Sequence, residues 1–586
     1  MSQRIRQKKG KKLTHKKVEA PTREKVKTSA QKQGVQPLSV KIQAVLRLLL
    51  DFVISVYLVL MVAGMPLYFR DGYAYIATDK ADFCARINIS VLRMELPLLA
   101  LYLASALAVF LQRKQWRPAR ADWMAQLGEI WKKVWLPDIF MGLYGVALII
   151  SYRCSDYRVN SLWGAANGWY IGFMPQLMLV AAYFLIAKCW KPRKAFLYLM
   201  YLVSAVVFLL GYLNRFGFYP IQMRLSSPGF ISTIGNINWY CGYAVTVLFA
   251  GVALAWGSKK GWQRILLYGY VFLGFGTLIT QGSVSGTVAL GAAMMALFAV
   301  SAGNGGKMSR FWAVAALLSA ACLFTKLFRM AAPDRINFED KVINLLTTGV
   351  FPAAMTIVSL AFLSLFYILE KKEAYPKKSM KILAGIVVTI VSGAAVASVI
   401  MIVINTKHPG SLGRLSEYPV FTFSEDWGSN RGTTWKAGVM CFLEQDFLHK
   451  LTGVGPDAMS AYIYRDGSEG LRGLLDRMFG NSTQLTNAHN EWLTILVDTG
   501  ILGLISFGGT VVTAIGTFLK KARKSGKTPP GGEDAGFIYC ACGLSLLAYT
   551  VNNMFSFQQT VSLTSMVVIL GMGMAFLRED KKEARK

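Results

Sequence analysis

The stretch 485-LTNAHNEWLTILVDTGILGLISFGG-509 decides how the chain is read. Its second half is an apolar run of the kind that crosses a bilayer. Its first half sets a histidine, an asparagine and a glutamate at the entrance to that run. Polar groups are costly in hydrocarbon and are seldom kept there without a reason. Two readings of His489 stand open: a hydrogen-bonding residue at a helix end, or a base held at the membrane surface.

Outward from this stretch the same apolar pattern recurs. The chain has 586 residues, 54% of them hydrophobic and 16% charged, with a mean hydropathy of +0.40. A soluble domain carries about 25% charged residues. Runs of about 20 apolar residues, the length that spans a bilayer, fall at 44–68, 92–111, 138–151, 170–188, 196–213, 238–256, 265–281, 285–302, 311–327, 349–370, 382–404, 490–518, 536–556 and 560–577. The third and ninth are the shortest or most weakly bounded. The expected fold is an all-α polytopic membrane protein with about 12–14 transmembrane helices and a large, partly helical extracytoplasmic loop.

Net charge is +32, yet the basic residues lie in short segments between apolar runs. No basic recognition helix is among them, so the lipid bilayer and not a nucleic acid is the expected partner. Clusters at Arg113/Lys114/Arg117/Arg120, Lys188/Lys191/Arg193/Lys194, Lys259/Lys260/Arg264, Lys371/Lys372/Lys377/Lys378, Lys520/Lys521/Arg523/Lys524 and the C-terminal lysines occupy alternate loops. With both termini cytoplasmic, all of them fall on the inner side, as positive charge does in membrane proteins. The expected organisation is a basic, disordered cytoplasmic arm (1–43), eleven spans (44–404), an extracytoplasmic cap (405–489), three further spans (490–577) and a cytoplasmic tail (578–586). Within the cap, 434–449, 455–465 and 469–479 read as helices. The eight cysteines show no zinc spacing, although Cys84 and Cys154, both placed outside, could pair.

Three constellations on the expected outer side could carry chemistry. The loop 214–240 holds Arg215 and Arg224 and no acid; the arginine fork suits phosphate, or equally lipid headgroups and loop carbonyls. In the cap, Arg431 precedes a helical run bearing Trp435, and 453-GVGPD-457 is a tight turn whose amides could face an anion. The third is the opening stretch. Thr486 or Asn487 can cap a helix starting near His489, and the positive end of that helix favours a neutral imidazole, the form a general base needs. Glu491, about 200° around the helix from His489, could simply answer the helix dipole.

Taken in order, these elements resemble the bacterial O-antigen ligase and polysaccharide polymerase superfamily. The resemblance is carried by His489-Asn490-Glu491-Trp492-Leu493, Asp498-Thr499-Gly500 and Gly503-Leu504; by Arg431, Trp435 and Gly453-Val454-Gly455 upstream; and by Gly235-Asn236-Ile237-Asn238 with Arg224 before it. Two departures stand out. A Ser-Arg pair of the family is replaced by 281-QGSVSG-286, and an acid near the end of its domain is replaced by amides in 551-VNNMFSFQQ-559. Arg215, Arg414 or Arg465 could substitute for the missing arginine.

The resemblance implies a metal-independent membrane glycosyltransferase without a cofactor. Its donor would be an undecaprenyl-diphosphate-linked oligosaccharide and its acceptor a hydroxyl on a glycan, lipid or protein. His489 would be the base, and Arg431, Arg224 and Arg215 would meet the diphosphate. Asn490, Asn236, Asn238, Trp435, Gly453 and Gly455 would hold or orient sugar, and Trp427, Tyr462 and Tyr464 offer further stacking faces. A lipid-linked-oligosaccharide flippase is the alternative, but it should show internal repeats and a cationic central cavity, and the sequence shows no repeat. A non-catalytic scaffold would need no external Arg/His set.

Overall fold

The computed structural model describes residues 38–112, 135–164, 170–258, 261–336, 338, 341–480, 484–524 and 536–583. Most of the N-terminal arm, the Arg113–Arg120 cluster, Lys259, Lys260 and the last residues of the tail lie outside them. The chain is built from helices, and the described strands are a two-residue pair.

The first half runs α1 (Leu38–Val59, prolonged by a π-helical turn Leu60–Gly64 and Met65–Leu67), α2 (Ile76–Gln112), α3 (Leu136–Cys154), α4 (Arg158–Trp163), α5 (Phe173–Cys189) and α6 (Ala195–Arg215). A hairpin of β1 (Phe230–Ile231) and β2 (Gly235–Asn236) leads into α7 (Ile237–Gly257). Next come α8 (Gly261–Thr280), α9 (Val284–Ser301), α10 (Gly305–Ala331), α11 (Lys341–Thr347), α12 (Phe351–Lys371) and α13 (Lys377–Lys407). The cap is α14 (Trp427–Glu444), α15 (Phe447–Thr452), α16 (Met459–Arg465) and α17 (Glu469–Phe479). The chain closes with α18 (Glu491–Lys524), α19 (Gly536–Asn552) and α20 (Thr560–Glu583).

Every apolar run read from the sequence falls on one of these helices, the doubtful third and ninth included. The ninth is among the longer ones, at 27 residues. Among the described residues, eleven helices are long and apolar enough to cross a membrane, and α5 and α19 are shorter apolar helices. The protein is therefore an all-α polytopic membrane protein. The conceivable disulfide is not formed: all eight cysteines are free, and Cys84 is buried inside α2.

α7 sits at the centre, buried almost all round against α8, α9, α19 and α20. Small residues let its neighbours close in, as helices in lipid require: a side chain at Gly251 would run into the Tyr270 ring. α13 is the opposite case, with its apolar residues turned outward along its length. The cap has a core of its own. Leu471, Leu474 and Leu475 of α17, spaced as one helix face, pack with Ala437, Cys441, Met459, Ile463 and Ala488.

α18 is broken at Gly500, whose φ of 67° and ψ of −169° are open to glycine alone. The break frees backbone carbonyls, which must find donors inside an apolar protein. Val454 N donates to Val497 O (3.0 Å), Gly455 N to Asp498 O (2.9 Å), and the Ser151 hydroxyl to Asp498 O (2.9 Å). The carboxylate of Asp498 accepts from Met459 N at 2.9 Å. The cap is thus clasped onto the break in α18.

Candidate functional site

The broken helix, the cap and the α7 hairpin meet around a pocket of about 340 Å³. Its walls are His489 from the start of α18, Ser429, Asn430, Arg431 and Thr434 from α14, Phe479 from α17, Asn238 from α7, and Gly282-Ser283-Val284 from the α8–α9 turn. Four residues of this wall hold left-handed backbone: Gly282 (φ 67°), Ser429 (59°), Asn430 (68°) and His489 (49°). Such conformations cost free energy in non-glycine residues and gather where function demands a fixed geometry.

His489 lies just before α18, which begins at Glu491. The helix is capped by Asn490, whose Oδ1 accepts from Leu493 N at 3.1 Å. Asn487, expected as a cap, instead accepts from His489 N at 2.9 Å and fixes the turn. The imidazole meets the Phe557 ring edge-on at 5.0 Å, and its nitrogens make no hydrogen bond with the described residues. Burial and the Arg431 charge lower its pKa from the ordinary 6.5 to about 4. The ring is neutral at pH 7.

Arg431 begins the regular part of α14, after the left-handed turn Gly428–Asn430. Its Nε donates to Phe555 O (2.9 Å) and its Nη1 to Gly428 O (2.7 Å). No acid pairs with it among the described residues, and burial lowers its pKa somewhat. Of the residues that line the pocket, it carries the positive charge. No group of three His, Cys, Asp or Glu side chains suited to a metal occurs among the described residues.

The two asparagines of the α7 hairpin divide the work. Asn236 caps α7, accepting from Asn238 N at 2.8 Å, and Asn238 reaches the pocket wall. The remaining sequence candidates lie elsewhere. Arg224 is exposed and paired with Asp71 at 2.8 Å. Arg215 is buried behind the 282–284 turn, donating to Thr280 O and Pro228 O at 2.9 Å each and lying over the Phe338 ring. Arg465 lies over the Tyr157 ring beside Asp466.

Trp435 does not line the pocket either: it stacks on Phe555 and is flanked by Trp427 and Phe423. Tyr462 meets Tyr157 edge-on, and the Tyr464 hydroxyl accepts from Leu485 N. The Gly453-Val454-Gly455 turn faces inward and not toward an anion. Its three amides are spent on His449 O, Val497 O and Asp498 O. A side chain at Gly453 would collide with the Asp498 backbone and one at Gly455 with Ser155, so the glycines serve close approach to the break in α18 and to the end of α3.

What sequence reasoning missed is the turn 553–558 between α19 and α20. Glu491 is fully buried, and its carboxylate accepts from the Tyr549 hydroxyl (2.9 Å), Gln558 Nε2 (3.0 Å) and Asn553 Nδ2. Its amide also donates to Asn553 O at 2.9 Å. The same turn gives Phe555 O to Arg431 and the Phe557 ring to His489. The amides that looked like a departure in 551-VNNMFSFQQ-559 are the donors that hold this buried carboxylate. A glutamate at the start of a span, facing amides at the start of another, was the available signal.

Residues 341–508 match the family model described as O-antigen ligase. The match covers Arg431, the cap and His489, and leaves out Asn238, the 282–284 turn and the 553–558 turn. No curated protein matches the chain. Set on a multi-pass membrane scaffold, the match over residues 341–508 supports placing the chain in an O-antigen ligase-like family, with a ligase- or glycosyltransferase-like activity.

Proposed function

We propose that the protein transfers a glycan from an undecaprenyl-diphosphate-linked donor to an acceptor hydroxyl on the extracytoplasmic face of a bacterial cell membrane. The observation that carries the reading is one pocket lined by a neutral histidine and an arginine with no acidic partner among the described residues. His489 takes the proton of the acceptor hydroxyl as its oxygen bonds to the anomeric carbon. The bond from that carbon to the diphosphate breaks, and the charge left on the diphosphate is met by Arg431.

The low proton affinity of the free His489 comes partly from Arg431. A bound diphosphate offsets that charge, so the donor itself strengthens the base. Asn238, Asn430 and Ser429 offer hydrogen bonds to sugar hydroxyls. Arg224 lies at an exposed loop where it can attract an anionic donor, while Arg215 braces the 282–284 wall. Arginine takes the place of a metal in this scheme, so chelators should leave transfer unchanged.

The test uses the full chain in proteoliposomes with lipid-linked oligosaccharide. A ladder on the lipid identifies a repeat-unit polymerase, and a single transfer to another acceptor identifies a ligase. The His489→Ala protein, inserted at wild-type abundance, should make neither product. Wild-type product from that variant would remove His489 as the base.

A further inference from the structure

We infer that the lower tip of the cap, around Leu443, Phe447 and Leu448, is inserted into the outer edge of the lipid bilayer, so that the cap is a re-entrant membrane element. The level of the hydrocarbon follows from α18. Ile501 to Leu519 carries no charged residue, and Lys520, Lys521, Arg523 and Lys524 follow at its far end. At about 1.5 Å per residue that run rises about 28 Å, close to the roughly 30 Å thickness of a hydrocarbon core. The break at Gly500 therefore marks the other edge.

α14 descends toward that edge beside the first half of α18. Gly438 packs against the Leu493 side chain, and further down Gln445 Nε2 donates to Val497 O at 3.3 Å. The chain then turns through α15, where Leu451 O abuts Gly500, and returns as the Gly453–Gly455 clasp on Val497 and Asp498. The bottom of this hairpin is thus level with Gly500.

At that bottom three large apolar side chains stand exposed beside two exposed acids, Glu444 and Asp446. Phe447 is 78% exposed, Leu443 62% and Leu448 52%. Just below them α18 turns Leu502 and Ile505 outward, in the stretch that crosses the membrane. α15 packs on α18 around the break, so the exposed tip lies where the membrane-crossing stretch begins, which makes acyl chains and not a protein partner the occupant. Glu444 and Asp446 sit between Leu443 and Phe447, and Lys450 follows Leu448; these charged groups suit the headgroup layer, where they reach water.

The test is site-directed spin labelling of the full chain in phosphatidylglycerol/phosphatidylcholine nanodiscs. Cys154 and Cys189, the two cysteines that are not buried, are first changed to serine. A nitroxide is then placed at Phe447→Cys, with Asp476→Cys, an exposed position on α17, as the aqueous reference. Because Phe447 is mostly exposed, the label leaves the fold in place. Collision with oxygen should exceed collision with a water-soluble nickel chelate at position 447 by several-fold, and the ratio should reverse at 476. Equal, nickel-dominated collision at both positions would overturn the proposal. So would low collision with both reagents at 447, which would mean a protein covers the tip. The reading does not depend on the glycan chemistry proposed above.

Discussion

Replacing Glu491 by alanine should disable the protein through structure and not through contact with substrate. The carboxylate is fully buried and accepts from Tyr549, Asn553 and Gln558. Removing it leaves the buried donors of Tyr549 and Asn553, and the half-buried donor of Gln558, without an acceptor. Each such loss costs about 1–3 kcal/mol, and partial rearrangement brings the expected total to about 4 kcal/mol. The turn 553–558, which supplies the Asn553 and Gln558 donors, also carries Phe555 O, which holds Arg431, and Phe557, which meets His489. A shift of about 1 Å in groups that position a reaction costs on the order of 100-fold in rate. Glu491→Ala should therefore lower the thermal midpoint of the detergent-purified protein by about 3 °C and lower glycan transfer by about 100-fold. Glu491→Gln keeps the shape and one acceptor, and should lie between the two. Intrinsic tryptophan fluorescence reads the midpoint, and the proteoliposome assay reads transfer. An alanine variant with wild-type midpoint and wild-type transfer refutes the reasoning.

Other expectations test separate parts of the site. Arg431→Lys should lose about 10- to 100-fold in transfer, because lysine keeps the charge and loses the fork that reaches Phe555 O and Gly428 O together; equal activity would leave only diffuse electrostatics. His489, with its pKa lowered to about 4, stays neutral from pH 8 down to about 5 and takes up a proton only below that. Transfer should accordingly hold level across that range and fall with a midpoint nearer 4 than 6.5 at low donor concentration; a midpoint near 6.5 contradicts the buried, Arg431-repelled imidazole. Gly500→Val should destabilise by about 3 kcal/mol or more, since valine resists the positive φ and its Cβ would meet Leu451 O, and limited proteolysis of the cap should accelerate. Wild-type proteolysis in that variant would show that the break in α18 is not what anchors the cap.

Much of the architecture is written along the chain because membrane helices satisfy their own backbone and advertise themselves by unbroken apolar runs. The span positions, the helical cap and the placement of His489 at the entrance to α18 followed from local pattern. The pocket did not, because its walls come from segments about 250 residues apart, from Asn238 to His489. No spacing rule links Gly282-Ser283-Val284 to Asn430, and only packing around α7 and α18 sets them face to face.

The same distinction explains where residue type misled. An arginine in a loop has the same sequence signature whether it is buried on carbonyls, like Arg215, paired at an exposed surface, like Arg224, or at a pocket with no acidic partner among the described residues, like Arg431. A Gly-x-Gly turn reads as an anion cradle until its amides are seen to be spent on the broken helix. By itself the sequence determined the membrane fold, the outline of the cap and the chemical types able to act, because hydrophobicity and composition are local properties. The tertiary structure alone decided which histidine and which arginine share one pocket, and that a buried Glu491 and the amides of a distant turn hold them there, because burial and hydrogen-bond partnership depend on what the rest of the chain brings alongside.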